Sequence, residues 1–371
     1  MDWKELAHAA HDLGFSAVAA APALPYRGVA AYQAWIDAGY HADMAWMARN
    51  MERRSDPREV VPGAATVLSL WMAYDPGPLG PKPDDVPRGR MARYALGDDY
   101  HDLIPGRLRA LAGALGDPVS RSYTDTGPVL ERSVAETAGL GWIGKNGCLV
   151  TTQRGSFGFL AEIITAVPLP VTEAPHPNRC GTCTRCIPAC PTGAIVAPGV
   201  IDSRRCISYL TIEHRGAIPR DLRPLIGDWV FGCDLCQEVC PWNRHSKTAT
   251  EPAFAPRADR IYPDLVGLLE QTQEEFAARF KGSAIKRTKR HGLARNAAIA
   301  LGNARDPRTV PALVRALMHD PEPVVRGSAA WALGRIHTPE ALEALHEARR
   351  AEQDPLALDE IDQALEDRAE G

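Results

Sequence analysis

The sequence predicts a multidomain protein that combines an α/β fold with an α-helical region, and three observations support this prediction. Helical patterns alternate with short β-rich runs up to about Pro170, all nine cysteines lie between residues 148 and 240, and a helical repeat occupies the C-terminal part. A chain of 371 residues is long enough for two or three domains, because single domains usually contain roughly 100 to 200 residues. We expect an α/β domain over residues 1–170, a cysteine-rich metal-binding domain over 171–262 and a helical repeat domain over 263–371.

The N-terminal part alternates between the periodicities that distinguish helices from strands. Helical patterns such as LAHAAHDLGF and YQAWIDAGY are separated by β-rich runs, namely SAVAAA, TVLSLWM, CLVTT and FLAEIIT. Residues 74–90 are dense in proline and glycine and are expected to form a long loop. A loop of this length in a compact domain is often a lid or a binding loop, and a solvated insertion is an equally good interpretation.

The composition is that of a globular protein, with 45% apolar and 24% charged residues. No stretch reaches the roughly eighteen uninterrupted apolar residues of a membrane span, and the segment MDWKELAHAAHDLGF is typical of an amphipathic helix rather than a signal peptide. We therefore expect a cytoplasmic protein that does not enter a membrane. The net charge of −4 argues against a protein that covers nucleic acid with its whole surface, but it is compatible with a local basic patch.

The C-terminal part contains an internal repeat. The segment AIALGNARDPRTVPALVRAL recurs 32 residues later as AWALGRIHTPEALEALHEAR, so that Leu301 aligns with Leu333 and Gly302 with Gly334. A third, partial copy, LDEIDQAL, ends at Leu365. Helical pairs that repeat at such a period predict an α-solenoid of the HEAT kind, in which each repeat buries its apolar face on the next. Such arrays usually bind a partner, and a structural cap is the alternative.

Eight of the nine cysteines are spaced as in two-cluster bacterial ferredoxins, and a long chain without a signal peptide favours metal over disulfides. Two runs end in Cys-Pro, and in such runs the cysteine before proline ligates the other cluster. We therefore expect two 4Fe–4S clusters with crossed ligands, the first held by Cys180, Cys183, Cys186 and Cys240, and the second by Cys190, Cys206, Cys233 and Cys236. A pair of zinc sites is the alternative, but it leaves the Cys-Pro endings unexplained. The ninth cysteine, Cys148, is expected to be a buried apolar thiol.

A glycine-rich turn at residues 139–146 fits the dinucleotide-binding pattern G-x-G-x-x-G and comes within one residue of a phosphate-binding loop. Both kinds of site need a strand before the glycines and a helix after them. Here the order is reversed, since PVLERSVAETA before the turn is helical and CLVTT after it is β-like. The glycines therefore indicate a tight turn or a close approach of the backbone to a flat ligand.

Further motifs carry a family resemblance. They are HADMAWM at 41–47, RYALGDDYH at 93–101, DTGP at 125–128, ER at 131–132, AGLGWIGKN at 138–146, RCISYLTI at 205–212 and GSAIKR at 282–287. Together with the cysteine set, they make nearly the whole chain similar to the epoxyqueuosine reductases, a cobalamin-dependent family related to the reductive dehalogenases. The resemblance implies an N-terminal cobalamin-binding domain, a ferredoxin-like domain with two 4Fe–4S clusters and a C-terminal domain of HEAT-like repeats.

The resemblance also implies a reaction, the two-electron removal of the epoxide oxygen of epoxyqueuosine at the wobble position of a tRNA anticodon, which gives queuosine and water. The two clusters would reduce cobalamin to Co(I). The proton donor of the family, an aspartate followed by serine or threonine, falls on Asp125, and a general acid must lie within hydrogen-bonding reach of the leaving oxygen. Taken alone, Asp125 is more typical of a turn or of a cap for the helix at Pro128.

Cobalamin contacts are a further implication of the resemblance. They are expected at Arg54, at Lys145 and Asn146 on the glycine turn, and, if the second cluster adjoins cobalamin, at Ser208, Thr211, Cys233 and Asp234. Each of these residues is equally compatible with a surface or capping role. There is no cysteine near Arg93, which excludes a thiol ligand to cobalt at that motif, so we expect the polar residues of the motif to shape the site instead: Tyr94, Asp98, Tyr100 and His101.

A basic segment at residues 279–295 contains seven lysines and arginines and no acid, and it opens the helical repeats. Because a tRNA stem needs cationic phosphate contacts, we expect Lys286, Arg287, Lys289 and Arg290 to hold the anticodon stem. A solvated helix face is the alternative. We also expect a monomer that receives electrons from an external donor such as a flavodoxin or a ferredoxin. The alternative functions are a reductive dehalogenase and an iron–sulfur electron carrier, and the carrier predicts no cobalamin.

Overall fold

The computed structural model describes residues 2–172 and 174–366, with the backbone alone at residue 245. Contacts within the chain define two compact units, each assembled from separate stretches of sequence. Unit 1 contains the chain up to Pro78, Gly97–Arg204 and Asp234–Ala255, and unit 2 contains Leu79–Leu96, Arg205–Cys233 and the chain from Pro256 onwards. The three domains expected from the sequence, residues 1–170, 171–262 and 263–371, do not coincide with these two units. Their boundaries remain a prediction.

The described residues form ten strands and fifteen α-helices. The strands are β1 (Ala17–Pro22), β2 (Thr66–Ala73), β3 (Arg90–Met91), β4 (Arg121–Tyr123), β5 (Trp142–Ile143), β6 (Leu149–Val150), β7 (Gly158–Thr165), β8 (Ile195–Ala197), β9 (Val200–Ile201) and β10 (Trp229–Phe231). The helices are α1 (Trp3–Asp12), α2 (Val29–Asp37), α3 (Met51–Ser55), α4 (Tyr100–Leu115), α5 (Glu131–Thr137), α6 (Ile207–Ile212), α7 (Arg223–Ile226), α8 (Leu235–Glu238), α9 (Leu265–Glu270), α10 (Gln273–Arg279), α11 (Lys289–Ala304), α12 (Val310–His319), α13 (Pro323–Ile336), α14 (Pro339–Ala351) and α15 (Pro355–Glu366). The four β-rich runs predicted from the sequence coincide with β1, β2, β6 and β7, and the loop predicted at residues 74–90 has no regular structure before Arg90.

Unit 1 is built around a four-stranded antiparallel sheet with the order β1-β2-β7-β4. The long strands β2 and β7 form its centre, and every residue of β2 is buried. The register places Ser69 of β2 and Tyr123 of β4 opposite the same residue of β7, Glu162. A glutamate therefore occupies the middle of the sheet, where apolar side chains are the rule.

The two faces of this sheet are covered by different helices. Val67 and Trp71 of β2, together with Ile164 of β7, pack against Val134 and Ala135 of α5. Because side chains alternate between the faces of a strand, Ser69 and Glu162 also point toward α5. The other face is covered by α4, where Arg107 contacts Met72 of β2.

Unit 2 contains the helical array, and the predicted repeat is confirmed. Helices α11, α13 and α15 are stacked in succession, with α12 and α14 between them along the chain. The glycines that align in the two repeats occupy equivalent contacts: an added Cβ at Gly302 would lie 2.9 Å from Cα of Ala332, and one at Gly334 would lie 3.0 Å from the carbonyl oxygen of Ala364. Glycine is thus required where consecutive repeats pack most closely.

Buried arginines of unit 2 form ion pairs and hydrogen bonds within that unit. Arg223 of α7 is 1% exposed and pairs with Glu360 of α15, which also accepts a 2.6 Å hydrogen bond from Arg220. Arg295 of α11 is fully buried, and its guanidinium donates to the carbonyl oxygens of Leu210 and His214. In the parts of the chain that the structure describes, no helix is long and apolar enough to cross a membrane.

Candidate active site and cluster-binding cysteines

Asp125 lies on an exposed loop between β4 and α5 and is held from two sides. Its Oδ2 atom accepts a 2.7 Å hydrogen bond from the hydroxyl of Tyr100, the first residue of α4. Its backbone N–H donates a 2.5 Å hydrogen bond to Oε1 of Glu131, the first residue of α5. Asp125 has a φ of +58°, in the left-handed region that a residue with a side chain rarely adopts. Such strain at an exposed, oriented carboxylate is typical of functional sites.

Tyr100 is positioned by the start of α4. Asp99 is the N-cap of this helix and accepts hydrogen bonds from both the backbone N–H and Nδ1 of His101. The Tyr100 ring packs between the His101 ring and Phe159 of β7, with ring centroids 4.0 and 4.1 Å away. Tyr100 of this motif contacts Asp125, and His101, whose side chain is 35% exposed, packs against Tyr100; a role of the motif in shaping the site remains a prediction.

Two further carboxyl groups, those of Glu131 and Glu162, lie close to Asp125. Glu162 is completely buried, and burial together with the adjacent Glu131 raises its pKa well above the usual value. Burial, and next the charge of Asp125, also raise the pKa of Glu131, whose side chain is hydrogen-bonded to that of Glu162. The sequence reasoning missed Glu162, although a lone acid in the apolar run FLAEIIT is a signal that could have identified it.

The glycine turn has the helix–turn–strand order predicted for it. Helix α5 precedes it, the short strand β5 lies within it, and β6, the partner of β5, follows it. A Cβ at Gly141 would lie 2.2 Å from the carbonyl oxygen of Val150, so the glycine is needed for the approach of the two strands of this hairpin. The turn is therefore not built as a nucleotide-binding loop, in which a helix follows the glycines.

The first predicted cluster-binding set lies entirely in unit 1, and its thiols are electrostatic neighbours. Burial, and then the nearby thiolates of Cys180, Cys240 and Cys183, raise the pKa of Cys186. The pKa of Cys240 is raised in the same way by burial and by Cys180 and Cys183. Cys240 is thus within electrostatic range of the thiols of the first run, which agrees with the predicted crossed arrangement, although among the described residues no group of cysteines is close enough together to be recognised as a metal site.

Indole Nε1 of Trp142 also donates a 3.4 Å hydrogen bond to Sγ of Cys180. The sequence reasoning gave Trp142 no role. Hydrogen bonds to cluster sulfurs are one of the means by which a protein tunes the reduction potential of an iron–sulfur cluster.

The second predicted set is divided between the units, with Cys190 and Cys236 in unit 1 and Cys206 and Cys233 in unit 2. The Sγ atom of Cys190 accepts a 3.3 Å hydrogen bond from the backbone N–H of Ala194. Cys148, for which we expected apolar surroundings, is hydrogen-bonded to the thiol of Cys236, and this contact lowers the pKa of Cys148. Cys148 is therefore a neighbour of the second set rather than an isolated core thiol.

Three predicted cobalamin-binding residues of unit 1 have identifiable contacts. Lys145 Nζ donates a 2.8 Å hydrogen bond to the carbonyl oxygen of Gly181, between two cysteines of the first set. Asn146 is 6% exposed and connects the glycine turn to Cys236, because its Nδ2 donates to the Cys236 carbonyl oxygen. Arg54 donates to the carbonyl oxygens of Arg49 and Trp46, so it also stabilises the loop before α3.

The expectation for Thr211 is corrected by the structure. Thr211 is completely buried in α6; its hydroxyl donates to the carbonyl oxygen of Ile207 and accepts a 2.9 Å hydrogen bond from Gly232 N–H. Both capacities of the hydroxyl are used inside the unit, so Thr211 is structural. Asp234 is also buried, at 2% exposure, as the N-cap residue of α8. Ser208 and Cys233 are half-buried, and their assignments remain predictions.

The basic segment divides into exposed and structural residues. Lys286, Arg287 and Lys289 are exposed. Arg287 is paired with Glu213 through hydrogen bonds of 2.8 to 3.1 Å. Arg290 is 7% exposed, and both of its terminal nitrogens donate 2.7 Å hydrogen bonds to Asp320. The prediction that Arg290 contacts tRNA is therefore wrong, because its charge is neutralised inside the helical array.

Comparisons with known proteins agree with this arrangement. Three family models match successive parts of the chain: epoxyqueuosine reductase QueG, DUF1730, at residues 54–126; the 4Fe–4S double cluster binding domain at 179–243; and HEAT repeats at 284–366. The chain is 44% identical over 332 residues to an epoxyqueuosine reductase of Pseudomonas aeruginosa, covering 87% of this chain and 91% of the relative. The chain belongs to the epoxyqueuosine reductase family. The family consists of oxidoreductases that use two 4Fe–4S clusters and cobalamin, as the resemblance implied.

Solved structures of epoxyqueuosine reductases share the fold over the whole chain. One contains an epoxyqueuosine-modified stem loop of tRNA-Tyr, is 33% identical and has a TM-score of 0.92, with 98% of this chain and 97% of that chain covered. Another, from Bacillus subtilis, is 32% identical with a TM-score of 0.91 and 98% coverage of both chains, and its catalytic aspartate loop is swung out of the active site. The α/β, iron–sulfur and HEAT-repeat composition predicted from the sequence is thus confirmed.

Proposed function

We propose that the protein reduces epoxyqueuosine to queuosine at the wobble position of tRNA anticodons, the last step of queuosine biosynthesis. The reaction takes up two electrons and two protons, converts the epoxide to a carbon–carbon double bond and releases its oxygen as water. The observation that carries the proposal for this chain is the exposed Asp125 carboxylate, oriented by Tyr100 and Glu131. The family membership and the tRNA-bound relative support the same conclusion.

In this proposal Asp125 is the general acid. An epoxide oxygen leaves as an alkoxide unless a proton reaches it, and a positioned carboxyl group supplies that proton within hydrogen-bonding distance. The Tyr100 hydroxyl orients one carboxyl oxygen of Asp125 and leaves the other available to the substrate. The domain prediction assigns this step to residues 1–170.

The electrons reach the site through the two clusters, for which we propose the crossed ligand sets described above. Cobalamin, when bound, supplies a strongly reducing and nucleophilic Co(I) centre. We propose that the residues indicated by the family resemblance hold it: Arg54, Lys145, Asn146, Ser208, Cys233 and Asp234. We propose an external donor, such as a flavodoxin or a ferredoxin, and a monomeric enzyme that acts in the cytoplasm.

The function is tested by anaerobic reconstitution with iron, sulfide and cobalamin and incubation with reduced flavodoxin or ferredoxin and tRNA that carries epoxyqueuosine, followed by mass analysis of the nucleosides. The wild-type protein should remove one oxygen atom from the modified base. The Asp125→Asn variant should bind tRNA normally and lose roughly 100-fold or more of kcat, since general acids contribute about that factor. Failure of the wild-type protein to convert the base, combined with activity on organohalides, would favour the dehalogenase alternative.

The proposed tRNA contacts are the exposed cations Lys286, Arg287 and Lys289. Charge reversal in the double variant Lys286→Glu/Lys289→Glu should weaken stem-loop binding and reduce its dependence on salt, because each phosphate contact contributes to the salt slope. The double variant Lys4→Glu/Lys247→Glu is the matched control, since it changes the net charge by the same amount at two exposed lysines outside the basic segment. Equal losses in both variants would show that only net charge matters.

A further inference from the structure

The Asp125 loop is held in place by contacts to its backbone and to its side chain, and the importance of these contacts rests on the proposed role of Asp125. This residue adopts a left-handed backbone conformation, which aspartate visits more readily than most residues with a side chain, and local hydrogen bonds stabilise it there. Its backbone N–H meets Glu131 Oε1 at 2.5 Å, and its side chain meets Tyr100. The Glu131 contact is the one that acts on the backbone of the strained residue itself.

Glu131 is in turn supported by a second carboxyl group. Glu162 has no exposed surface, its Oε1 atom is 3.4 Å from the Ser69 hydroxyl, and its Oε2 atom meets no hydrogen-bond donor among the described residues. The remaining neighbour of this carboxyl is the side chain of Glu131. Two ionised carboxylates repel each other in a buried place, so contact between them is favourable only when one proton lies between them.

The geometry also indicates which carboxyl group carries this proton. Glu131 Oε1 accepts the Asp125 N–H, which favours the ionised form of Glu131. Glu162 has no exposed surface, and its Oε2 meets no donor among the described residues, which disfavours its ionised form, so the shared proton lies mainly on Glu162. The other charged or titratable groups facing the pair are Asp125, Tyr26, Tyr123 and Arg132, and of these Arg132 is the cation.

We propose that Glu131 and Glu162 share one proton and act as a latch that positions the Asp125 loop, with Glu131 as the positioning residue. While the proton is shared, Glu131 holds the backbone of Asp125, and the Asp125 carboxyl group stays hydrogen-bonded to Tyr100. Loss of the shared proton leaves two charged carboxylates in contact, and their repulsion opens the latch. Movement of this kind of loop is consistent with the relative from Bacillus subtilis, whose catalytic aspartate loop is swung out.

The latch is tested by hydrogen exchange of the reconstituted holoenzyme. In Glu131→Ala the amide of Asp125 should exchange about tenfold faster or more, because its acceptor is gone. Glu136→Ala is the matched control on the same helix, since Glu136 Oε1 accepts a 2.9 Å hydrogen bond from the backbone N–H of Ile143. This control should accelerate exchange at Ile143 and leave Asp125 protected. Unchanged exchange at Asp125 in Glu131→Ala would overturn the proposal.

The shared proton is tested with Glu162→Gln, whose amide still donates to Glu131 but cannot ionise. The wild-type enzyme should lose Asp125 protection and kcat together as the pH becomes alkaline, whereas Glu162→Gln should retain both. Glu131→Ala should lower kcat with KM for tRNA unchanged, and Glu131→Gln, which keeps an acceptor, should restore most of the loss. A purely structural role for the pair would produce no such pH difference.

These measurements separate the latch from the proposed function. If Asp125→Asn kept full activity, the role of Asp125 as the acid would fail, but the exchange result would still decide whether Glu131 holds the loop. If Glu131→Ala did not fold, the pH series on the wild-type protein and Glu162→Gln would decide. Equal protection of Asp125 in both proteins at alkaline pH would contradict a shared proton.

Discussion

The hydroxyl of Tyr100 donates a 2.7 Å hydrogen bond to Oδ2 of Asp125 across 25 residues of sequence. Tyr100 is fixed by the N-terminus of α4, and Asp125 lies two residues after β4 on the loop to α5, so a helix start fixes the position of one carboxyl oxygen of a loop residue. The orientation of Asp125 therefore depends on this phenol.

Tyr100→Phe removes only this hydroxyl and should lower kcat roughly fivefold, with KM for tRNA unchanged, because a side-chain hydrogen bond contributes about 1 kcal/mol and the Asp125 carboxyl group would lose its orientation. Steady-state kinetics with epoxyqueuosine tRNA would measure the effect. Tyr262→Phe is the control, since its hydroxyl bonds the carbonyl oxygen of Gly80 in unit 2. Wild-type kcat in Tyr100→Phe would show that Asp125 is oriented by other contacts.

Glu162→Gln should also change how stability depends on pH. The pKa of Glu162 is raised in the folded protein, so the unfolded chain releases this proton at lower pH than the folded one. The free energy of unfolding therefore falls as pH rises above the unfolded value of about 4.5, by up to about 1.4 kcal/mol per pH unit, until the folded pKa is passed. Thermal denaturation between about pH 5 and pH 8 should show a smaller decline for the variant. Parallel declines would indicate that Glu162 is ionised throughout.

The crossed assignment of cysteines predicts which pairs of substitutions act on one cluster. Cys240→Ser combined with Cys180→Ser should remove one cluster and leave about four of about eight irons. Cys240→Ser combined with Cys233→Ser should affect both clusters and leave markedly fewer irons. Iron and sulfide analysis with electron paramagnetic resonance after anaerobic reconstitution distinguishes the results. The opposite ranking would mean that each run binds its own cluster.

Two helical glycines should respond in opposite ways to alanine. Gly302→Ala should destabilise unit 2 by about 1–3 kcal/mol, because the added methyl group would overlap Ala332 and the Trp331 ring. Gly113→Ala in α4 is the matched control, since no atom lies within 4 Å of the new Cβ, and it should stabilise by about 0.5–1 kcal/mol. Denaturant titration measures both. Similar effects would mean that helix propensity alone determines the outcome.

Much of the chemistry was predictable from local sequence. The cysteine spacings, the Gly302 and Gly334 repeat and the helix–turn–strand order around Gly141 are properties of short segments, and the structure and the comparisons agree with them. Asp125 was identified through resemblance to a family, since an aspartate followed by threonine and glycine is by itself an ordinary turn.

The partners of individual side chains were not predictable in this way. Arg290 and Lys289 are adjacent in one basic run, yet the first is buried against Asp320 and the second is exposed. Helix packing decides whether each of these side chains points into the protein or into solvent, and a count of charges in the sequence does not reveal this direction. Thr211 was likewise misassigned, because its partner Gly232 lies 21 residues away in the chain.

The sequence by itself predicted the four β-rich runs, the double-cluster iron–sulfur domain and the helical repeat, because each is recognisable from spacing along the chain. Only the tertiary structure brought Glu131 and Glu162 together behind Asp125, since one lies on a helix and the other on the central strand of the sheet it covers. Burial between those layers makes a shared proton favourable there. The sequence around either glutamate gives no sign that the two side chains are in contact.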